Sequence, residues 1–212
     1  MARRKQSELG DIETKDRILA SARKHFLAYG FQAAPLRKIA SEAGFTSGAL
    51  YGYFASKEEL FYDITDPAAD RLMKALGSAC DAIEALPEKM RFHTMGEAYY
   101  RHIPKIVDAV LQDKDAMVLI VNGSQGTKYE GFLDALASRA AKTIVNASES
   151  AESSDMHGIE GRTLEVLMEG YIHTLFRLIV SDRDRNTIIR CMETTGKVYE
   201  KGILALMREG TS

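Results

Sequence analysis

A chain of 212 residues, 45% hydrophobic and 27% charged, has the make-up of a folded protein of one or two domains, which excludes disorder over its whole length. Its longest apolar runs, 116–121 and 175–180 among them, fall far short of the roughly 20 residues of a bilayer span. The basic residues 1–6 lead into polar 7–14, so neither a membrane anchor nor a signal peptide is expected. Of its 28 cations and 30 anions, ten and seven lie in residues 1–61, a mildly basic third on an acidic body and too small an excess to hold nucleic acid by bulk charge alone.

Apolar residues recur at helical spacing along nearly the whole chain and no convincing period-two stretch appears, so the expected fold class is all-α. Ile18, Ala22 and Phe26 lie one turn apart, and Leu19 and Leu27 widen the stripe. With Thr14 as N-cap and Gly30 just past the end, they predict a first helix over 15–29. Leu36, Ile39, Ala40 and Ala43 predict a short second helix, opened by Pro35 at its first position and closed by Gly44. A third follows Thr46, with Phe45 placed to pack on Leu50 as a hydrophobic staple, and Ser56-Lys57-Glu58-Glu59 is a capping box for a fourth. Asp66-Pro67 predicts a kink or restart before 72–86, because proline leaves the i−4 carbonyl unpartnered. Pro87 starts the next helix, whose stripe of Phe92, Met95, Tyr99, Ile103, Ile106 and Val110 is interrupted at Pro104. A short apolar helix over 115–121 ends at Asn122-Gly123, and another covers 129–147. Residues 148–155 read as a polar mobile loop, and two long helices, about 160–180 and 183–208, finish the chain.

Two short helices joined by Gly44-Phe45-Thr46 match a helix-turn-helix, in which small Ala40 lets the helices approach and Gly44 makes the turn. Ile39, Ala43, Phe45 and Leu50 point into the shared core. What remains outside is slim: Ser47, Gly48, Ala49 and Gly52 expose backbone, so this helix can enter a major groove about 12 Å wide. Thr46, Tyr51, Tyr53 and Lys57 surround that surface, the last three in reach of phosphates, whose contacts set register while base edges set sequence. Arg37 stays open between a backbone contact and plain solvent; Lys24 and Lys38 read as solvated charges.

These residues resemble the DNA-binding domain of the tetracycline-repressor (TetR) family of bacterial transcriptional regulators. The matching elements are Ala22, Phe26 and Tyr29-Gly30-Phe31, then Ile39-Ala40 and the run from Ala43 to Tyr51, then Tyr53-Phe54-Ala55-Ser56-Lys57-Glu58-Glu59-Leu60. The resemblance covers residues 12–65 and implies a DNA-binding domain there and a helical effector-binding and dimerisation domain over 66–212, about nine helices in all. It implies dimerisation through the last two helices. Two positions depart from the family pattern. Ala34-Pro35 stands where Thr-Thr or Thr-Ser is common, removing a hydroxyl that would cap helix 2 and touch a phosphate. Tyr53 stands where His is frequent, and its phenol still donates to phosphate.

In the body, Met95, Tyr99 and His102 near the Pro104 break, with Met168, Tyr171 and Phe176 on the penultimate helix, are candidates for an apolar small-molecule pocket with a few polar handles. The alternative for each is plain core. Leu164, Leu167, Leu175 and Leu178, then Met192, Tyr199, Ile203 and Leu206, repeat at helical intervals on the last two helices, and Gly170, Gly196, Gly202 and Ala205 allow close approach. Two such helices per subunit make a four-helix interface about a two-fold axis; the alternative is burial within one subunit.

The expected protein is therefore a homodimeric, cytoplasmic, sequence-specific DNA-binding regulator, a repressor released from a palindromic double-stranded operator by a small-molecule effector, with no membrane partner, cofactor or metal. Its recognition helices stand roughly 34–36 Å apart. A ligand-responsive activator shares the DNA module, and an enzyme on a helical body is the remaining class. Against the enzyme, no Gly-rich phosphate loop, activated nucleophile or metal-ligand spacing is present, and Glu165 and Glu169 one turn apart read as a solvated face. Cys80 and Cys191 lack flanking cations or a close partner, which fits a reducing cytosol.

Overall fold

The structure, a computed structural model, describes residues 2–149, 161–181 and 183–209. Among these there are ten helices and no strand: α1 (Ala2–Ala33), α2 (Leu36–Ala43), α3 (Ser47–Tyr53), α4 (Lys57–Glu84), α5 (Glu88–Tyr100), α6 (Ile103–Leu111), α7 (Lys114–Asn122), α8 (Phe132–Glu149), α9 (Gly161–Ile179) and α10 (Arg185–Glu209). The expected all-α class holds, with one helix more than the expected nine. The loop expected over 148–155 begins inside α8, and from 150 onward it lies outside the described residues.

The helices sort into two compact units, one of residues 1–70 with 113–130 and one of 71–112 with 131–212. The division differs from the expected 12–65 and 66–212: residues 113–130, assigned by sequence order to the body, cluster with the N-terminal helices instead. Arg23 explains why. Its guanidinium grips Asp113 with both nitrogens, at 2.5 and 2.9 Å, while Asp113 caps α7 by accepting from the Ala116 amide at 3.1 Å. The buried face of α7, Ala116, Met117, Leu119 and Ile120, needs an apolar partner, and α1 supplies it.

The core of this unit is built on Phe26, Phe31 and Phe61, whose rings meet at 5.1–6.1 Å, two of the three pairs edge to face. Ile18, Ile39, Leu50 and Leu60 are fully buried around them. Gly30 takes φ 72° and ψ 172° inside α1, a conformation open to glycine, and this turns the chain so that the Phe31 amide donates to the Gly123 carbonyl at 2.7 Å. Gly44 ends α2 at φ 85° with the two hydrogen bonds of a Schellman closure, Gly44 N to Ser41 O at 3.1 Å and Phe45 N to Ala40 O at 2.9 Å. Arg17 locks this turn: Nη2 donates to Ala43 O at 2.7 Å and the guanidinium lies over the Phe45 ring, 5.1 Å from its centre. On the opposite side Ser21 Oγ donates to Ile39 O at 2.9 Å, a buried bond between α1 and α2.

In the second unit α8 packs on α9, and α10 lies against α5, α6 and α9. Arg185 forks onto Asp108, at 2.5 and 2.8 Å, and holds the Asp108 carboxyl below the usual carboxylate range. Pro104 acts as expected, ending α5 at Tyr100 and opening α6 in its first turn.

Four local expectations are corrected. Thr14 does not begin α1, which runs back to Ala2 through a stretch that holds no proline. Pro35 is the N-cap of α2, at φ −85° and ψ 106°, rather than its first helical residue. Pro67 lies inside α4 without the restart expected as one of two outcomes there, since Ile64, Ala68, Ala69 and Leu72 on either side are buried and packing outweighs one missing backbone bond. Residue 129 does not start α8: the Tyr129 phenol is drawn to Asp66 Oδ1 at 2.6 Å, Gly131 turns at φ 71°, and the helix begins at Phe132.

A Cβ on Gly44 would face both the left-handed φ and the Arg17 Nη2 atom at 2.6 Å, which is already committed to Ala43 O. Gly44→Ala is expected to lower unfolding stability by about 1–3 kcal/mol, read as a fall in the midpoint of thermal unfolding by circular dichroism; an unchanged midpoint contradicts the lock.

Candidate functional site

The helix-turn-helix places α3 on the outside of the first unit. Thr46 caps it, its Oγ1 accepting from Ala49 N at 3.2 Å, and Leu50 is the residue of α3 that anchors it in the core. Gly48, Ala49, Tyr51 and Gly52 are exposed; Ser47 and Tyr53 are half-buried. The two glycines are informative. Glycine inside a helix costs about 1 kcal/mol relative to alanine, so its presence needs a reason. At Gly52 nothing lies within 4 Å of where a Cβ would stand, and at Gly48 the nearest atom is Thr46 Oγ1 at 3.9 Å. Packing within the chain asks for glycine at neither position.

The charged and phenolic residues expected around α3 are partly committed elsewhere. Lys57 Nζ donates to Gln32 O at 2.9 Å and sits over the Phe31 ring at 5.2 Å, and this burial lowers its pKa. Tyr53 OH donates to Asp11 Oδ1 at 3.3 Å. Thr46 is exposed but its oxygen serves the cap, and Arg37 faces solvent on the first turn of α2. Lys24 and His25 both reach Glu42, at 2.5 and 2.9 Å, and hold its carboxyl below the usual range. The Ser56 capping box forms with a one-residue offset: Glu59 N donates to Ser56 Oγ at 3.1 Å, while the Glu59 carboxylate accepts from Ala55 N at 2.5 Å.

The second unit holds a partly open cavity of about 230 Å³. Of the expected pocket residues, Met95, Tyr99, Met168 and Tyr171 line it. His102 and Phe176 do not. His102 starts α6, and its Nδ1 lies 2.9 Å from Ala98 O; Phe176 is buried apart from the cavity, one turn beyond Ile172, the last α9 residue in the wall. Met73 and Cys80 of α4, Leu136 and Thr143 of α8, and Glu200 of α10 complete the wall. None of these was legible from sequence spacing, because the wall draws on five helices. Tyr100 and Glu200 do adjoin expected residues, Tyr99 and Tyr199.

Four phenols and one carboxylate gather at the wall. Tyr100 OH donates to Glu200 Oε2 at 2.7 Å, Tyr99 and Tyr171 share a hydrogen bond, and the Tyr171 and Tyr199 rings lie 4.9 Å apart. Burial pushes the Tyr99 phenol up to about 12 and raises Tyr100 and Tyr171 as well, with the Glu200 hydrogen bond adding to the rise at Tyr100. These phenols stay neutral across the physiological range. Among the described residues no group of three or more His, Cys, Asp or Glu is placed to hold a metal ion, and Glu165 is taken up by Ser138, whose Oγ donates to it at 3.2 Å.

The expected interface residues divide differently from their stripes. Leu164, Leu175, Met192 and Ile203 are buried within the chain, Ile203 and Tyr199 at the cavity wall; Leu167 and Leu178 are half-buried, and Leu206 is exposed. The stripes record the helix faces that pack inward. The outward apolar residues of α9 and α10 are Val166 and Val198, at 60% and 65% exposure, with Leu206.

Residues 18–64 match the family of bacterial regulatory proteins, tetR family. YerO of Bacillus subtilis (strain 168), an uncharacterized HTH-type transcriptional regulator, is 44% identical over 179 residues, 82% of this chain and 58% of YerO. The chain spans between 31% and 58% of the length of the curated relatives it matches. In fold it is similar to a TetR-like transcriptional regulator from Rhodococcus sp. RHA1, with a TM-score of 0.55 over 87% of this chain and 93% of that one at 19% identity. It is also similar to AibR, solved in complex with isovaleryl coenzyme A and operator DNA, with a TM-score of 0.50 over 85% and 96% at 15% identity. The helix-turn-helix of residues 18–64 is thus similar in sequence to the tetR family of bacterial regulatory proteins, and the fold over most of the chain is similar to that of solved TetR-like regulators.

A Cβ on Gly196 would stand 2.7 Å from Tyr100 Cε1 and 3.1 Å from the Tyr171 hydroxyl. Gly196→Ala is expected to cost about 1–3 kcal/mol through overpacking. Urea unfolding followed by tyrosine fluorescence, the native probe in a chain with nine Tyr and no Trp, measures it; a variant as stable as the parent means the phenols are not packed this way.

Proposed function

We propose that the chain is a homodimeric, sequence-specific DNA-binding transcriptional regulator, a repressor that leaves a palindromic operator when a small-molecule effector occupies the cavity. The observation that carries the DNA-binding part is the pair of glycines on α3. Two costly residues with no role inside the molecule, flanking exposed Ala49 and Tyr51, are accounted for by a partner that must lie against the helix backbone. The major groove is such a partner: it admits a helix whose outer surface is bare enough for base edges to be reached. The match of residues 18–64 to the tetR family supports the same reading, and supports a regulator over an enzyme.

The phosphate contacts then fall to Arg37 and Tyr51, with the α2 and α3 backbone, more than to Lys57, whose ammonium is held by Gln32. The twin subunit is joined through the outward face of α9 and α10, where Val166, Val198 and Leu206 stand beside exposed Gly170, Gly202 and Ala205. Two helices from each copy bury these residues about a two-fold axis. AibR, whose structure holds both isovaleryl coenzyme A and operator DNA, is a precedent in fold for one chain carrying both kinds of site. An effector acts here to the extent that it binds one separation of the two α3 helices better than another. A cytoplasmic location follows from the DNA partner.

Two variants test the reading. Ala49→Glu puts a carboxylate into the groove-facing surface and is expected to weaken binding to the operator, sought as a palindrome upstream of the chain's own gene, by 100-fold or more in gel-shift assays with helix content unchanged. If the wild-type chain retains no palindrome in a salt-sensitive manner, the proposal is rejected. Val198→Glu is expected to convert a dimer to a monomer in sedimentation analysis and to lose operator affinity with it; a monomeric parent chain overturns the homodimer. Derepression of a reporter on deletion of the gene separates repressor from activator.

A further inference from the structure

We infer that the cavity of the second unit takes a small lipophilic cation, an organic ammonium whose apolar body fills the Met- and Leu-lined space and whose charge sits against Glu200 among the tyrosine rings. The inference deepens the reading of this cavity as the effector site and rests on it for its biological sense.

Charge is the first argument. Two charged side chains border the cavity, Glu200 and Arg139. Arg139 is exposed, where water and salt screen it, whereas Glu200 is half-buried and its carboxylate is oriented by the Tyr100 hydroxyl at 2.7 Å. The buried phenols of Tyr99, Tyr100 and Tyr171 are neutral, so the inner wall carries one negative charge, that of Glu200, in a setting of low polarity. An apolar ligand leaves that carboxylate without a countercharge, an anion meets repulsion, and a cation supplies what is missing.

Shape is the second. Tyr99 and Tyr100 of α5, Tyr171 of α9 and Tyr199 of α10 all line the cavity, and aromatic faces attract a desolvated ammonium. The backbone is cut back to make room for this cluster. A Cβ on Gly96 would collide with the Glu200 carboxylate, and one on Gly196 would press on Tyr100 and Tyr171. Glycines at these two places on α5 and α10 let the acid and the rings occupy the same small volume. The cavity of about 230 Å³ is just under the ~300 Å³ that begins the usual range of ligand sites. That limits the ligand to a compact amine or quaternary ammonium with one ring or short chain.

Titration calorimetry on the full-length chain, without DNA, tests the class with three probes of matched size: benzyltrimethylammonium, its neutral carbon isostere neopentylbenzene, and the anion 3-phenylpropanoate. The cation is expected to bind about tenfold or more tightly than the neutral isostere, and the anion not measurably. Glu200→Gln is expected to bring the cation down to the affinity of the neutral isostere while leaving the latter unchanged, which also shows that the variant is folded. Should that variant not fold, the three-way comparison on the wild-type chain decides alone. Equal or tighter binding of the neutral or anionic probe, a cation indifferent to Glu200→Gln, or binding of none of the three overturns the inference. A gel shift with the cation present separates the two readings: a cation that binds but leaves operator affinity unchanged confirms the ligand class and removes the effector role.

Discussion

The turn at Gly44 is held from three sides: by its left-handed φ of 85°, by the paired backbone bonds that close α2, and by Arg17, which reaches from α1 to cap Ala43 and cover Phe45. Everything that α3 presents outward depends on this constraint. A helix of seven residues has too little backbone hydrogen bonding to stand by itself. Its direction comes from the turn before it and from Leu50 beneath it. With both in place, Gly48, Ala49, Tyr51 and Gly52 have one face open to the outside, and the missing side chains become a feature of the surface instead of a weakness in a helix.

The same economy of side chains appears in the second unit for the opposite purpose. There, glycine makes internal space. Gly96 and Gly196 let the Glu200 carboxylate and the phenols of Tyr100 and Tyr171 crowd into a wall that is otherwise mostly apolar. Burial keeps the phenols of Tyr99, Tyr100 and Tyr171 protonated, so the charge at the cavity is that of half-buried Glu200 and exposed Arg139. A glycine on α3 and a glycine on α10 look alike in composition. They differ in whether a Cβ would meet open space or meet a tyrosine, and that difference separates a bare outer surface from a packed interior.

Much of this was legible in the chain itself. The stripes of Ile18, Ala22 and Phe26 and of Ile39, Ala40 and Ala43, with Gly44 and Thr46 between helices, specify their own short-range structure, because capping, left-handed turns and helical burial act over a few residues. The helix-turn-helix and its slim outward face followed directly. Pro104 likewise broke a helix where it stands. Pro67 did not, since the interior on both sides of it was invisible from local chemistry.

The amino-acid order by itself determined most of the helices and the turn between α2 and α3, features set by interactions within one or two turns of chain. The tertiary structure alone decided which unit α7 joins, through an Arg23–Asp113 pair 90 residues apart, and which outward residues of α9 and α10 stay free, since a periodic stripe marks burial without saying in what. It alone brought Glu200 to Tyr100, 100 residues away. Contacts of that span are formed by packing, and a cavity is the space that packing leaves between helices, which no local pattern encodes.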